Sequence, residues 1–88
     1  MISQAFFLLL SYTFYIKKGY AMQIFGERLK ELRKAKGITT IELAKQLQTS
    51  NSIISLWENN KRVATIDNLY KIARFFDVSA DYLIGLED

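Results

Sequence analysis

Two short helical patterns lie next to each other between Gly37 and Asn60, and they constrain the fold of this chain more than any other feature. Thr39 and Glu42 have the spacing of a capping box, which begins a helix. Ser50 follows as a second helix N-cap, only a few residues after the first pattern ends. Because helices of about two turns are not stable alone, further helices must hold this pair at a fixed angle.

A small residue stands where the two short helices are expected to cross. The pattern predicts these helices over residues 40–48 and 51–59. A side chain larger than the methyl group of Ala44 would push them apart. The second helix is therefore predicted to cross the first closely and to lie at the surface. The apolar residues expected to pack between them are Leu43, Ala44, Leu47, Ile54 and Trp57.

Three further helices are predicted around this pair. Apolar residues at i, i+4 and i+7 predict a helix over residues 26–36, which Gly37 ends in a left-handed conformation. Thr65 and Ser79 are the predicted N-caps of a fourth and a fifth helix. Five helices around one core predict an all-α fold. The fifth helix is short and carries Leu83. The residues expected on the buried faces of the other two helices are Phe25, Leu29, Leu32, Ile66, Leu69, Ile72, Ala73 and Phe76.

Composition argues against several functions. The chain has 88 residues, half of them hydrophobic, which is typical of one small domain. It has no cysteine and no histidine, so it lacks the usual metal ligands and the usual general base. We expect neither enzymatic activity nor a cofactor. Lys17 and Lys18 are two of the twelve basic residues, which leaves ten basic and nine acidic residues from residue 23 onward, a net charge of +1. That region has no strong basic stripe.

Residues 1–22 differ from the rest of the chain and are predicted to be a hydrophobic N-terminal extension of a domain over residues 23–88. Residues 2–16 are mostly apolar, but this stretch is shorter than the roughly 20 residues that span a membrane. It also lacks the basic start and the cleavage site of a secretory signal. Three interpretations stay open: a nonessential extension upstream of Met22, an arm that packs on a partner subunit, and a membrane anchor.

Seven short motifs lie in order along residues 25–86. They are Glu31-Leu32-Arg33, Lys36-Gly37-Ile38-Thr39, Glu42-Leu43-Ala44, Ser52-Ile53-Ile54-Ser55, Trp57-Glu58-Asn59, Asn60-Lys61-Arg62 and Val78-Ser79-Ala80-Asp81-Tyr82-Leu83. This ordered set resembles the helix-turn-helix domains of phage Cro and repressor proteins, also called the xenobiotic response element family. The resemblance implies a five-helix lambda-repressor-like fold and a cytoplasmic, sequence-specific transcriptional repressor that binds a double-stranded DNA operator as a homodimer.

The same resemblance implies roles for individual residues. Arg33 is expected to pair with Glu58 and so to fix the recognition helix, because a half-buried charge without a partner is costly. Family members commonly pair through the C-terminal helix, which corresponds to Tyr82, Leu83 and Leu86. Helix N-termini and cations attract phosphate. The residues expected along the DNA backbone are Thr40, Asn59, Asn60, Lys61 and Arg62.

Base contacts are expected from the first turns of the second helix of the pair, which enter the major groove. Asparagine can bond adenine through N6 and N7, and leucine can meet only the thymine methyl group. Without an arginine in this set, the site is expected to favour A·T pairs. The base-reading candidates are Asn51, Ser52, Ser55 and Leu56, with Ile53 at their margin.

Two alternatives to a DNA-binding regulator remain at this stage. Ile53 and Leu56 as exposed aliphatic side chains would suit a protein partner, as in an antitoxin-like module. The apolar extension with Lys17 and Lys18 would suit a membrane-tethered regulator.

The sequence also departs from the family pattern. Thr40 stands where glutamine is usual, which shortens that phosphate contact. Gln48 and Asn60 replace common glycines, and a left-handed Gln48 would cost about 1 kcal/mol. Ala64 replaces a common proline.

Overall fold

Five α-helices joined by short turns make up residues 20–88, the part of the chain that the computed structural model describes. No strand occurs among these residues, so the all-α, five-helix prediction is confirmed. The first 19 residues, and with them most of the predicted extension, lie outside the described residues. The helices are α1, Tyr20–Ala35; α2, Thr40–Leu47; α3, Asn51–Glu58; α4, Ile66–Phe76; and α5, Ala80–Ile84.

The first helix is longer than predicted. It begins at Tyr20 rather than at residue 26 and so crosses the boundary drawn between residues 22 and 23. Alanine, methionine and glutamine at positions 21–23 are good helix formers, and nothing there breaks the pattern. Tertiary packing adds to this, because Ile24 lies against Gly85 at the end of α5. The predicted end is confirmed, since Gly37 has φ of +73°.

Side-chain caps begin four of the helices, as predicted. The Thr39 hydroxyl accepts a hydrogen bond of 3.1 Å from the Glu42 N–H, and the Glu42 carboxylate accepts one of 3.1 Å from the Thr39 N–H. Ser50 caps α3, Thr65 caps α4 and Ser79 caps α5. Each cap satisfies an N–H group of the first turn and so fixes the residue at which the helix begins, including the short α2 and α3.

The buried core joins all five helices. Phe25 and Trp57 meet edge to face with ring centroids 6.2 Å apart, so α1 packs directly on α3. Leu69, Ala73 and Phe76 of α4 are half-buried against this core. The fully or nearly fully buried apolar residues are Phe25, Leu29, Leu43, Ala44, Leu47, Ile54, Trp57, Ile72 and Leu83.

Two sequence-based expectations about the core and its surface were wrong. Ile66 was expected on the buried stripe of α4, but its side chain is 84% exposed. It is the first residue after the Thr65 cap, and the core-facing stripe begins one turn later at Leu69. Leu83 was expected at a subunit interface, but it is 0% exposed within the core.

Candidate nucleic-acid interface

The turn between α2 and α3 contains a left-handed residue that is not glycine. Gln48 has φ of 57°, as expected from its position at the end of α2. Its N–H bonds the carbonyl of Lys45 at 3.3 Å, and the N–H of Thr49 bonds the carbonyl of Ala44 at 2.9 Å. These bonds satisfy carbonyls that the helix end leaves free and offset the conformational cost. Only three residues, 48–50, separate the end of α2 from the start of α3, and over this turn the chain changes direction so that α3 crosses α2.

Helix α3 has one buried and one exposed face. Ile54 and Trp57 are buried, as predicted from their spacing. Ile53 and Leu56 are only half-buried, and Ile53 packs against the core. The polar base-reading candidates Asn51, Ser52 and Ser55 are all exposed on the other side. The structure therefore presents three short polar side chains, with Leu56 at the edge of the same surface.

The C-terminal turn of α3 is tied down by its own hydrogen bonds. The Asn59 amide nitrogen donates to the Ser55 carbonyl at 2.9 Å and to the Ser55 hydroxyl at 3.3 Å. The N–H groups of Asn60 and Lys61 donate to the Trp57 and Leu56 carbonyls. Because these N–H groups are used within the protein, a phosphate at this turn would be bound by side chains. Lys61 and the following Arg62 are exposed.

Thr40 occupies the first turn of α2, where backbone N–H groups have no partner inside the helix. Such a turn favours an anion through the helix dipole. Here the Glu42 carboxylate of the capping box stands at the same end. Its negative charge opposes a phosphate, so this end of α2 attracts the DNA backbone less than a neutral first turn would.

Arg33 and Glu58 form a two-pronged ion pair between α1 and the end of α3. Arg33 Nε donates to Glu58 Oε2 at 2.7 Å, and Arg33 Nη2 donates to Glu58 Oε1 at 3.0 Å. The remaining guanidinium nitrogen of Arg33, Nη1, donates to the Ile38 carbonyl at 3.0 Å. The side chains are only 13% and 5% exposed. Hydrogen bonding to Glu58 raises the pKa of Arg33 above its ordinary value, although burial opposes the shift.

A buried glycine of α1 was missed as a site residue by the sequence analysis. A Cβ on Gly26 would lie 2.5 Å from the Trp57 carbonyl oxygen and closer still to Asn60 Oδ1. The backbone of α1 therefore lies directly against the end of α3. Asn60 has φ of 61°, and its side-chain oxygen is buried there without a hydrogen-bond partner. The available signal was the glycine itself between Phe25 and Leu29 of the apolar stripe, because an isolated glycine lowers helix stability and marks close packing when it is kept.

A second residue missed from the sequence is Arg28, which joins α1 to the C-terminal turn. Its Nη1 donates to the carbonyls of Tyr82 and Glu87, the latter at 2.6 Å. Its guanidinium carbon lies 4.3 Å from the centroid of the Tyr82 ring. The Arg28 guanidinium therefore binds groups of the protein itself, and it covers part of the Tyr82 ring. Nothing in the local sequence around Arg28 indicated a contact more than fifty residues away.

A tight turn between two crossed helices, with the second helix exposing polar side chains from a rigid support, defines a helix-turn-helix protein. The comparison with family models agrees, because the helix-turn-helix domain model matches residues 26–88. This chain belongs to the helix-turn-helix domain family.

The chain is similar to several named regulators. It is 39% identical over 64 residues to the HTH-type transcriptional activator BcrR of Enterococcus faecalis, covering 73% of this chain and 31% of that protein. It is 38% identical over 63 residues to the HTH-type transcriptional regulator ImmR of Bacillus subtilis, covering 72% of this chain and 50% of that protein. The chain therefore spans about a third to a half of the length of these two relatives.

Among solved structures, the chain resembles the P22 c2 repressor in complex with a synthetic operator. The TM-score is 0.68 at 32% sequence identity, and the match covers 72% of this chain and 96% of the repressor chain. The resemblance to phage repressor domains, and the lambda-repressor-like fold that it implied, are confirmed.

Proposed function

We propose that this chain is a cytoplasmic, sequence-specific DNA-binding regulator of transcription that represses by occupying its operator as a homodimer. The observation that carries the proposal is the division of α3 into a buried apolar face and an exposed polar face at its N-terminal end. The similarity to a repressor bound to an operator supports the same function. No enzymatic activity is part of the proposal.

Base reading is assigned to the exposed start of α3. Asn51 follows the Ser50 cap directly, so its amide projects from the first turn, which is the part of a recognition helix that meets base edges. Ser52 and Ser55 extend the polar surface, and Leu56 can contact a thymine methyl group at its edge. This combination suits A·T pairs because it lacks the arginine that reads guanine.

Backbone contacts are assigned to both sides of α3. Lys61 and Arg62 supply exposed cations in the turn after the helix, and Thr40 supplies the first turn of α2. The Asn59 amide is less available to a phosphate, because it already donates a hydrogen bond to the Ser55 carbonyl. Asn60 contributes its amide nitrogen rather than its buried oxygen. Such contacts position the protein on DNA without reading its sequence.

The two alternative functions receive less support from the described residues. A protein-docking α3 depended on exposed Ile53 and Leu56, and both are half-buried. No helix within residues 20–88 is long and apolar enough to span a membrane. The apolar residues that motivated a membrane anchor lie outside the described part of the chain.

The test is selection of bound duplexes from a random DNA pool by the full-length chain. We expect an A·T-leaning palindrome whose half-site centres lie about 34 Å apart, which is one turn of DNA. A bound pool without any enriched sequence would contradict sequence-specific binding. An enriched but asymmetric single site would contradict the homodimer and leave base reading intact.

A further inference from the structure

One side of α4 carries apolar side chains that the core does not use. Ile66 is 84% exposed and Tyr70 is 61% exposed, and the two lie one helical turn apart. Both side chains line an open groove of about 650 Å³, together with the apolar Leu69, Ala73 and Val78 and the charged Arg74 and Asp77. We call Ile66, Tyr70 and this groove the α4 face. Neighbouring exposed apolar side chains beside an apolar groove are typical of an interaction surface.

We propose that the α4 face is where a second copy of this chain binds, with the two α4 helices antiparallel across a two-fold axis. The inference rests on the proposed function, because that function requires two copies of the chain to pair on an operator. Its geometry depends only on α4 and the start of α5. A two-fold interface uses the same patch on both copies, so the patch must be complementary to itself.

The shape of the α4 face meets this requirement. In an antiparallel pair whose axis passes between positions 70 and 71, Ile66 lies opposite the far half of the partner's α4. That half borders the groove, which continues to Asp77, Val78 and Ala80. Each copy therefore offers an exposed Ile66 at one end of the groove and the apolar Val78 at the other. Tyr70 lies beside the axis, where a buried tyrosine contributes most to binding.

The charges on α4 are also complementary to themselves. Asp67 lies in the first turn and Arg74 in the last turn, at equal distances from the proposed axis. Being seven residues apart, they lie on the same side of the helix. The two-fold rotation therefore places each Asp67 next to the partner's Arg74, which makes two ion pairs of opposite charge. Arg74 already points along this face, with its guanidinium carbon 5.9 Å from the centroid of the Tyr70 ring.

This surface replaces the C-terminal one that the family resemblance implied. Leu83 is buried in the core and Tyr82 is partly covered by Arg28, so Leu86 alone of those three is well exposed, at 72%. The α4 face also leaves base reading free. Helix α4 packs mainly on α2 and α5, whereas the base-reading candidates lie on the outer side of α3.

The first test compares two matched variants of the full-length chain by sedimentation equilibrium. Ile66→Glu should weaken self-association about tenfold or more, because each copy then places a carboxylate against the apolar part of the other copy's groove. Leu86→Glu makes the same chemical change at a similarly exposed position and should leave self-association unchanged. Unchanged pairing by Ile66→Glu, or a wild-type chain that stays monomeric both free and on two-half-site DNA, would overturn the proposal.

The second test exploits the ion pairs. Asp67→Arg and Arg74→Asp should each weaken self-association. Each change replaces both ion pairs of the dimer by two contacts between like charges. The double variant should recover most of the loss, since it restores opposite charges in reversed order. Unfolding of all three variants in urea controls for the effect of these charges on α4 itself. A double variant that pairs more weakly than both single variants, with unchanged stability, would overturn this geometry.

Binding to a duplex with one half-site separates this inference from the proposed function. The Ile66→Glu chain should bind one half-site as tightly as wild type, because α3 is untouched. If wild type self-associates through α4 but binds no DNA, the proposed function fails and the interface stands. If wild type binds DNA but the Ile66→Glu chain pairs normally, the interface fails and the function stands.

Discussion

The two ends of α3 meet opposite environments, although only two turns of helix separate them. At the N-terminal end, Asn51 and Ser52 are exposed, and the Ser50 cap is the hydrogen bond that fixes the start of the helix. At the C-terminal end, Trp57 is buried and Glu58 is held by two hydrogen bonds from Arg33. The backbone of Gly26 lies against the same end.

The difference separates two roles within one short helix. The C-terminal end is fixed to α1 by an ion pair, by core packing and by a direct backbone approach. The N-terminal end is thereby held at a defined angle while its side chains remain free. Substitutions at the anchored end should therefore change the free energy of unfolding, and substitutions at the free end should change recognition alone.

The largest effect is expected from Glu58→Ala. This change leaves the mostly buried Arg33 guanidinium without its carboxylate, and breaking such a pair costs about 3 kcal/mol of unfolding free energy. Urea unfolding measures the loss. Glu31→Ala, which removes an exposed carboxylate from α1, is the control and should change little. Unchanged stability together with lost DNA binding would mean that the pair acts on DNA and does not anchor α3.

Gly26→Ala should cost about 2 kcal/mol, although alanine normally stabilises the interior of a helix. The added methyl group would collide with the Trp57 carbonyl and with Asn60 Oδ1, so α1 and the end of α3 must separate. Thermal or urea unfolding checks the prediction. Adding Asn60→Gly removes one of the collisions and suits the positive φ at that position, so the double variant should recover part of the loss. A single variant as stable as wild type would refute the close approach.

Asn51→Ala should leave stability unchanged and reduce discrimination at one base pair per half-site by at least about 1 kcal/mol. The reason is that only the exposed amide is removed. Paired selections with wild type and variant at one salt concentration measure the change. Gln23→Ala, which removes an exposed amide from α1, serves as the control. Equal weakening on all sequences would place Asn51 outside the base-reading set.

The smallest effects are expected at Lys61 and Arg62. Lys61→Ala or Arg62→Ala should weaken binding to all DNA sequences alike. Each should lower the slope of log affinity against log salt by about one unit for each bound copy, which is about two units for a homodimer. Lys30→Ala removes the same charge from an exposed position of α1 and should leave the slope unchanged. A slope unchanged in both test variants would remove this turn from the interface.

The sequence by itself determined the local structure. Thr39, Ser50, Thr65 and Ser79 begin their helices, and Gly37, Gln48 and Asn60 take the left-handed conformations that their positions suggested. These features depend on hydrogen bonds between residues three to five apart, so a short window of sequence contains all that decides them. The resemblance to known repressors added the Arg33–Glu58 contact, which no local pattern contains.

Tertiary structure decided the contacts between distant residues. The approach of Gly26 to α3 and the bonds from Arg28 to the C-terminal turn each depend on residues far away in the chain. The exposure of Ile66 has the same cause, because helical periodicity predicts an apolar stripe but not where the core ends along it. Spacing specifies which side of a helix is apolar, whereas only the packed neighbours determine how much of that side is covered.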